Sequence, residues 1–154
     1  MKRINAGLLI LCICFAISCT KKAPNPGSWK FGNETYAAGV AARTTNPGIA
    51  LSTVSTDGYS SVLFFFNTYP TTSGTYTVVN STTPIAGQVG IQFADGDQGS
   101  GNLYIPTGSS SPQASVTVSG GKVSISVPSV MLANQDSYYT ADSALFTASI
   151  NQTQ

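Results

Sequence analysis

The feature that most constrains the fold is the stretch 114–127, in which apolar and hydroxyl-bearing residues alternate on both sides of Gly120-Gly121. A period of two is typical of a β-strand with one buried face, and two adjacent glycines suit a two-residue hairpin loop. With this loop, the apolar side chains lie on one face and the Ser and Thr side chains on the other. The predicted cross-strand pairs are Val118 with Val123, Val116 with Ile125, and Ala114 with Val127.

A second hairpin is predicted where Trp29 and Phe31 alternate with polar residues ahead of Gly32-Asn33. Pairing across this tight turn sets Trp29 opposite Tyr36. Further alternating or apolar segments lie at residues 49–53, 62–66, 75–79, 89–93, 103–105 and 144–150. Pro128 is expected to end the second strand of the Gly-Gly hairpin, because proline has no N–H for a sheet.

These segments predict about nine or ten short strands with turn residues between them, which is the pattern of an all-β fold. We expect an antiparallel β-sandwich, and a β-barrel is the alternative. Residues 28–154 are expected to form a single domain, because their number is close to the common size of one domain.

The segment from Val62 to Phe66 is the most apolar run outside the N-terminal region. A period of two places Leu63 and Phe65 on the face opposite to the other three residues. Either the strand is covered on both faces, or Leu63 and Phe65 line a ligand pocket or a partner surface. We expect the covered strand, because short apolar runs are more often core than site, and Phe65 stays a candidate ligand-binding residue.

The first 19 residues have the pattern of an export signal. Lys2 and Arg3 precede an apolar run of about 12 residues, too short to span a bilayer, and the sequence Ala-Ile-Ser-Cys ends at Cys19. This N-terminus resembles the signal peptide and lipobox of bacterial lipoproteins. The resemblance implies that residues 1–18 are removed and that Cys19 carries a lipid on its sulfur, which makes the membrane a partner.

Residues 19–27 are predicted to be a lipidated tether, since prolines at 24 and 26 favour an extended chain. Lys21 and Lys22 lie beside the expected lipid, where cations favour anionic head groups. The resemblance implies a bacterial cell envelope location, and we expect the outer membrane. Surface-exported lipoproteins of some lineages carry an acidic run after the cysteine, and its absence here favours the periplasmic face over the cell surface.

Charge and composition exclude several classes of function for this chain. The chain has seven Lys and Arg against six Asp and Glu, so nucleic acid is not an expected partner. The sequence contains no histidine, which excludes Ser-His-Asp triads, Cys-His pairs and His-ligated metals. Lys122 follows Gly-Gly and is an ordinary strand residue rather than half of a Ser-Lys dyad. We therefore expect no enzyme, no catalytic residue and no cofactor, but a non-catalytic binding or structural module.

One segment resembles a calcium-binding loop in part, through Asp95, Asp97 and Asn102. In an EF-hand the sixth position is Gly and the twelfth is a bidentate Glu, whereas here they are Ser100 and Pro106. Asp-Gly is also standard turn chemistry, so we expect a polar turn and no metal site.

Four tyrosines are candidates for sugar stacking, because aromatic faces suit the apolar faces of sugars. They are Tyr69, Tyr104, Tyr138 and Tyr139. A carbohydrate-binding or adhesin-type surface lipoprotein is therefore the alternative function, with the protein or glycan partner left open. The triplet Asp142-Ser143-Ala144 resembles an O-glycosylation triplet of some Gram-negative envelopes, which would make Ser143 the modified residue.

Overall fold

The computed structural model describes residues 25–96, 101–107, 112–135 and 142–154, so Cys19, Tyr138 and Tyr139 lie outside the described residues. The described residues form ten β-strands and no helix, which confirms the all-β prediction of nine or ten strands. The strands are β1 (Gly27–Phe31), β2 (Glu34–Thr44), β3 (Ala50–Ser55), β4 (Ser60–Phe66), β5 (Gly74–Val79), β6 (Gln88–Asp95), β7 (Asn102–Pro106), β8 (Gln113–Ser119), β9 (Lys122–Asn134) and β10 (Ser143–Asn151).

The ten strands belong to one sheet in the order β10-β1-β2-β3-β4-β6-β5-β8-β9-β7, with further pairings of β10 with β9 and of β6 with β7. Each of these strands therefore pairs on both sides, and the sheet closes on itself. The described pairings are antiparallel except for β5 with β6, which is parallel. This closed sheet is not a regular barrel and is consistent with the predicted alternatives, a β-sandwich or a barrel-like fold.

The two ends of the closed sheet differ, because different strands lie between β6 and β9 at each end. At one end β7 alone pairs with both strands. At the other end β5 and β8 together fill the same gap. We call the first end, which contains Glu34 and Asp95, the narrow end. The second end has one more strand in the wall and contains Gly27, Thr44 and Lys122, and we call it the wide end.

Both predicted hairpins are present. Trp29 pairs with Tyr36, and their rings stack with centroids 5.5 Å apart and an interplanar angle of 8°. Val116 pairs with Ile125 across the Gly-Gly loop. Val118 pairs with Val123 in the same hairpin, and the ladder runs to Ser115 with Ser126, which is in register with the predicted pair of Ala114 and Val127. On the other side of β8, Ala114 pairs with Tyr76 of β5. Local hairpin register was therefore predictable from alternation and turn chemistry.

The prediction that Pro128 ends its strand is wrong. Strand β9 continues through this residue to Asn134, and its pairing with β10 has a bulge between Phe146 and Ala148. Pro128 and Ser129 are consecutive exposed residues opposite this bulge. A bulge leaves an unpaired residue in the ladder, so the missing N–H of proline is accommodated there.

The interior is filled by one apolar cluster to which nearly every strand contributes. Its largest fully buried side chains are Trp29, Phe64, Phe93, Phe146, Leu51, Ile91, Ile125, Leu132 and Ile150. Because the closed sheet and this cluster are formed within residues 25–154, this part of the chain has the core that an independently folding domain requires.

Phe65 is buried, but outside the interior cluster. It lies on the exterior face of β4 beside Gly90 of β6, where the segment between β5 and β6 passes over the sheet. A Cβ at Gly90 would lie 1.7 Å from the carbonyl oxygen of Ser81 and 3.4 Å from the Cβ of Phe65. The cover over Phe65 is therefore a closely packed loop and not a second sheet, and Leu63 on the same face is half-buried.

Candidate functional site

A cleft of about 550 Å³ opens at the wide end. It is lined by Arg43 near the end of β2, Ile49 before β3, the segment 68–71 after β4, and Val118 and Gly121 of the β8–β9 hairpin. This volume is within the range of small-molecule sites, and barrel mouths are frequent places for them. The closure of the sheet thus brings four separate parts of the chain around one concavity.

Arg43 is the charged residue of this lining. It pairs with Leu51, whose side chain belongs to the interior cluster, so the register places Arg43 on the interior side of the wall at its rim. The guanidinium carbon of Arg43 lies 4.8 Å from the centroid of the Tyr69 ring. This is a cation–π contact, which orients the guanidinium over the aromatic face.

Tyr69 is held by the segment that follows β10. Its hydroxyl donates a hydrogen bond of 2.9 Å to Oε1 of Gln152, which also accepts a 2.9 Å bond from the N–H of Val123. The N–H of Gln152 donates to the carbonyl of Val123 at 2.8 Å. Burial raises the pKa of Tyr69 to about 12, against the opposite effect of the Arg43 charge. The Tyr69 side chain is therefore uncharged, and it is held by Arg43 at the ring and by Gln152 at the hydroxyl.

Arg43 offers hydrogen-bond donors at the cleft. Its guanidinium carbon lies over the Tyr69 ring, and a guanidinium carries five N–H donors in one plane. Among the described residues, Arg43 makes the contact with Tyr69 and no hydrogen bond or ion pair. A planar set of donors is thus oriented at the cleft and remains available to an acceptor.

Charge is unevenly distributed between the two ends. The four described side-chain carboxylates lie on strand ends and turns of the narrow end, and they are Glu34, Asp57, Asp95 and Asp142. The C-terminal residue Gln154 lies at the wide end, where its N–H bonds to the carbonyl of Ala41. Arg43 and Lys122 lie at the wide end. In the described part of the chain, the cleft is therefore remote from side-chain carboxylates and close to cations.

The carboxylates of the narrow end accept hydrogen bonds from neighbouring side chains. Ser60 donates to Asp95 at 2.8 Å, and Tyr36 donates to Glu34 at 2.9 Å. Burial is the main cause that raises the pKa of Tyr36, with the Glu34 bond next. These partners give the carboxylates structural roles. Within the described ranges, no group of three His, Cys, Asp or Glu side chains could hold a metal ion.

Tyr104 belongs to this narrow-end network and to the core. Its side chain is 4 % exposed, and its hydroxyl donates a 2.8 Å bond to Asp142. Burial, followed by this bond, raises the pKa of Tyr104 to about 12. Its ring stacks on Phe93 at a centroid distance of 5.7 Å. Tyr104 and Tyr69 therefore lie toward opposite ends of the domain and do not form one platform.

The other predicted site residues are dispersed. Phe65 is buried beneath the β5–β6 segment, away from the interior cluster, and Ser143 is exposed at the start of β10, paired with Ala133. Asn102 accepts a 3.0 Å hydrogen bond from the side chain of Asn134. Sequence reasoning missed Arg43, although it follows Ala41 at a spacing of two on an interior-facing strand. The spacing of two from Ala41 is a weak signal, because the interior side of β2 is known only once its pairing with β3 is known.

Comparisons with protein-family models, with curated proteins and with solved structures found no match. In the described part of the chain, no helix is long and apolar enough to cross a membrane.

Proposed function

We propose that this protein is a lipid-anchored protein of a bacterial envelope whose β-domain binds a small ligand in the wide-end cleft without transforming it. The observation that carries the binding role is the guanidinium of Arg43, which lies over a fixed tyrosine and makes no hydrogen bond within the described ranges. Side chains held in one geometry before binding lose less entropy when a ligand arrives, so such an arrangement favours affinity.

The chemistry of the lining supports binding rather than catalysis. The hydroxyls of Thr68, Tyr69 and Thr71 are the available nucleophile types, and a nucleophile of this kind needs an adjacent base. The described lining residues include no carboxylate, histidine or lysine that could act as that base. Tyr69 is moreover neutral near pH 7, because burial raises its pKa to about 12.

The described chain enters the domain at the same end as the cleft. Strand β1 begins at Gly27 in the wide end, eight positions after Cys19, and eight residues reach at most about 29 Å. Arg43 and Lys122 at this end, with Lys21 and Lys22 beside the lipid, favour the approach of the wide end to anionic head groups. We place the protein on the periplasmic face of the outer membrane, with its cleft toward the lipid surface.

A carbohydrate ligand is the second candidate. Its support is Tyr69, which lines the cleft between the hydroxyl-bearing residues Thr68 and Thr71. Sugars are recognised by aromatic faces together with polar groups, and both are present. The face of Tyr69 toward Arg43 is already occupied, however, so a sugar would have to stack elsewhere on the ring.

The anchor is tested on protein purified from the membranes of its native host. Intact-mass analysis is expected to show a chain that begins at Cys19 and carries acyl chains. Cys19→Ala is the control variant, and it should leave the membrane fraction or keep the N-terminal segment. A wild-type protein recovered unacylated from the soluble fraction would refute the lipid anchor.

A further inference from the structure

We propose that the cleft takes a small amphiphile with one anionic head group, a carboxylate or a phosphate, which is bound by Arg43. This inference rests on the proposed function of the cleft as a binding site and names the class of its ligand. It is supported by the separate chemistry of the two parts of the cleft, a cationic rim and a largely apolar wall.

The head group follows from the geometry of Arg43. A guanidinium presents paired N–H donors that match the two oxygens of a carboxylate or phosphate. The cation–π contact holds the guanidinium over the ring of Tyr69, and the bond from Tyr69 to Gln152 holds the ring in turn. The described side-chain carboxylates lie at the narrow end. The C-terminal residue Gln154 lies at the wide end, where its N–H bonds to the carbonyl of Ala41, but within the described ranges Arg43 makes no ion pair with its carboxylate. A lysine in this position would offer a mobile point charge instead.

The apolar part of the ligand is inferred from the side chains that line the cleft. Ile49, Pro70 and Val118 line the cleft beside the ring of Tyr69. A fully hydrophilic anion, such as free phosphate, would leave these surfaces in contact with water and gain nothing from their burial. An alkyl chain or an aromatic ring attached to the anion buries them. The volume of about 550 Å³ accommodates such a body.

The inference is tested by calorimetric titration of the chain from residue 20 onward, which contains all ten described strands. Decanoate is the charged probe, decanol is the uncharged probe of the same length, and inorganic phosphate is the head group alone. Decanoate should bind about tenfold more tightly than decanol, and inorganic phosphate should bind more weakly than either. Phosphate binding as tight as decanoate binding would overturn the amphiphile assignment.

Substitutions of Arg43 and Lys122 test which positive charge at the wide end binds the anionic head group. Arg43→Met should weaken decanoate binding at least about tenfold, and Arg43→Lys should weaken it severalfold, because the paired donors are lost. Lys122→Met is the matched control, since it removes one positive charge from the same end without removing a cleft-lining side chain. It should change decanoate binding less than about threefold. Equal losses in Arg43→Met and Lys122→Met would overturn the proposal, because only general charge would then matter.

The failure of this inference can be distinguished from the failure of the proposed function. Tight binding of decanol, unchanged in Arg43→Met, would overturn the anionic head group and leave the cleft as a binding site. If no probe binds while the emission of Trp29 shows a folded core, both the ligand class and the binding role of the cleft are refuted. Lysophosphatidylglycerol is compared with decanoate in the same titration, and the tighter of the two assigns the source as a membrane lipid or a free acid.

Discussion

The guanidinium carbon of Arg43 lies 4.8 Å from the centroid of the Tyr69 ring at the wide end, although the two residues are 26 positions apart in the chain. Strand β2 supplies the cation, the segment after β4 supplies the ring, and Gln152 after β10 fixes the ring hydroxyl. The neighbouring strands β2, β3 and β4 bring the cation and the ring to the same end of the sheet, and the contact gives the cleft a charged group that a ligand can use.

Tyr69→Phe is expected to show what the hydrogen bond from Tyr69 to Gln152 contributes apart from the aromatic ring. The variant keeps the aromatic face but loses the hydrogen bond to Gln152, which should cost about 1 kcal/mol in the free energy of unfolding. Binding of decanoate should weaken less than about threefold, because the ring still supports Arg43. Tyr69→Ala removes the ring and should weaken binding about tenfold. Equal binding by the two variants would show that the ring does not position Arg43.

Phe65→Ala should be strongly destabilising, by about 3 to 5 kcal/mol, because the ring is fully buried beneath the β5–β6 segment. Leu63→Ala on the same exterior face is the control. It should cost less, about 1 to 2 kcal/mol, since Leu63 is only half-buried. Chemical denaturation measures both variants. A Phe65→Ala variant as stable as the wild type would show that the loop does not cover this face.

Gly90→Ala tests the close packing of that loop against β6. The added Cβ would lie 1.7 Å from the Ser81 carbonyl oxygen, so backbone must move, and the cost should be about 2 to 3 kcal/mol. Gly74→Ala is the matched control on β5, where the nearest atom to a Cβ is a Tyr76 ring carbon at 3.8 Å. Its effect should stay within about 0.5 kcal/mol. Similar denaturation midpoints for the two variants would contradict this packing.

Stability should fall at high pH because tyrosines are protonated more strongly in the folded state. The pKa of Tyr69 and that of Tyr104 are raised from 10.0 to about 12. A raised pKa contributes stability that is complete below the unfolded value, near pH 10, and is lost as the pH rises to about 12. The free energy of unfolding should therefore decrease over this interval. The double variant Tyr69→Phe, Tyr104→Phe should show a shallower decrease, and an unchanged slope would refute this origin.

Strand pairings between segments close together in the sequence could be predicted, whereas pairings between distant segments could not. The pairing of Trp29 with Tyr36 could be predicted, because a tight turn fixes the register of the two strands and alternation fixes the face of each side chain. The parallel pairing of β5 with β6 could not, since nothing in local periodicity specifies which distant strand lies beside another. The same limit hid the site, because Gln152 and the β8–β9 hairpin reach Arg43 and Tyr69 only through pairings of strands that are distant along the chain.

The burial of Phe65 shows a second limit. Alternation placed this residue on the face opposite to the interior, and the apolar run indicated that the face is covered. The sequence did not identify the cover, since the segment between β5 and β6 is polar and rich in turn residues. Its fit depends on Gly90, whose missing side chain lets the Ser81 carbonyl approach the sheet.

The most direct test of the central claim is to map the amide resonances that shift when decanoate is titrated into the chain from residue 20 onward. The cleft account predicts saturable shifts concentrated at Arg43, Tyr69 and Val118, and their loss in Arg43→Met. The exposed apolar pair Met131 and Leu145 on the exterior of β9 and β10 is the internal comparison. Shifts centred on that pair, with the wide end unchanged, would contradict the cleft as the binding site.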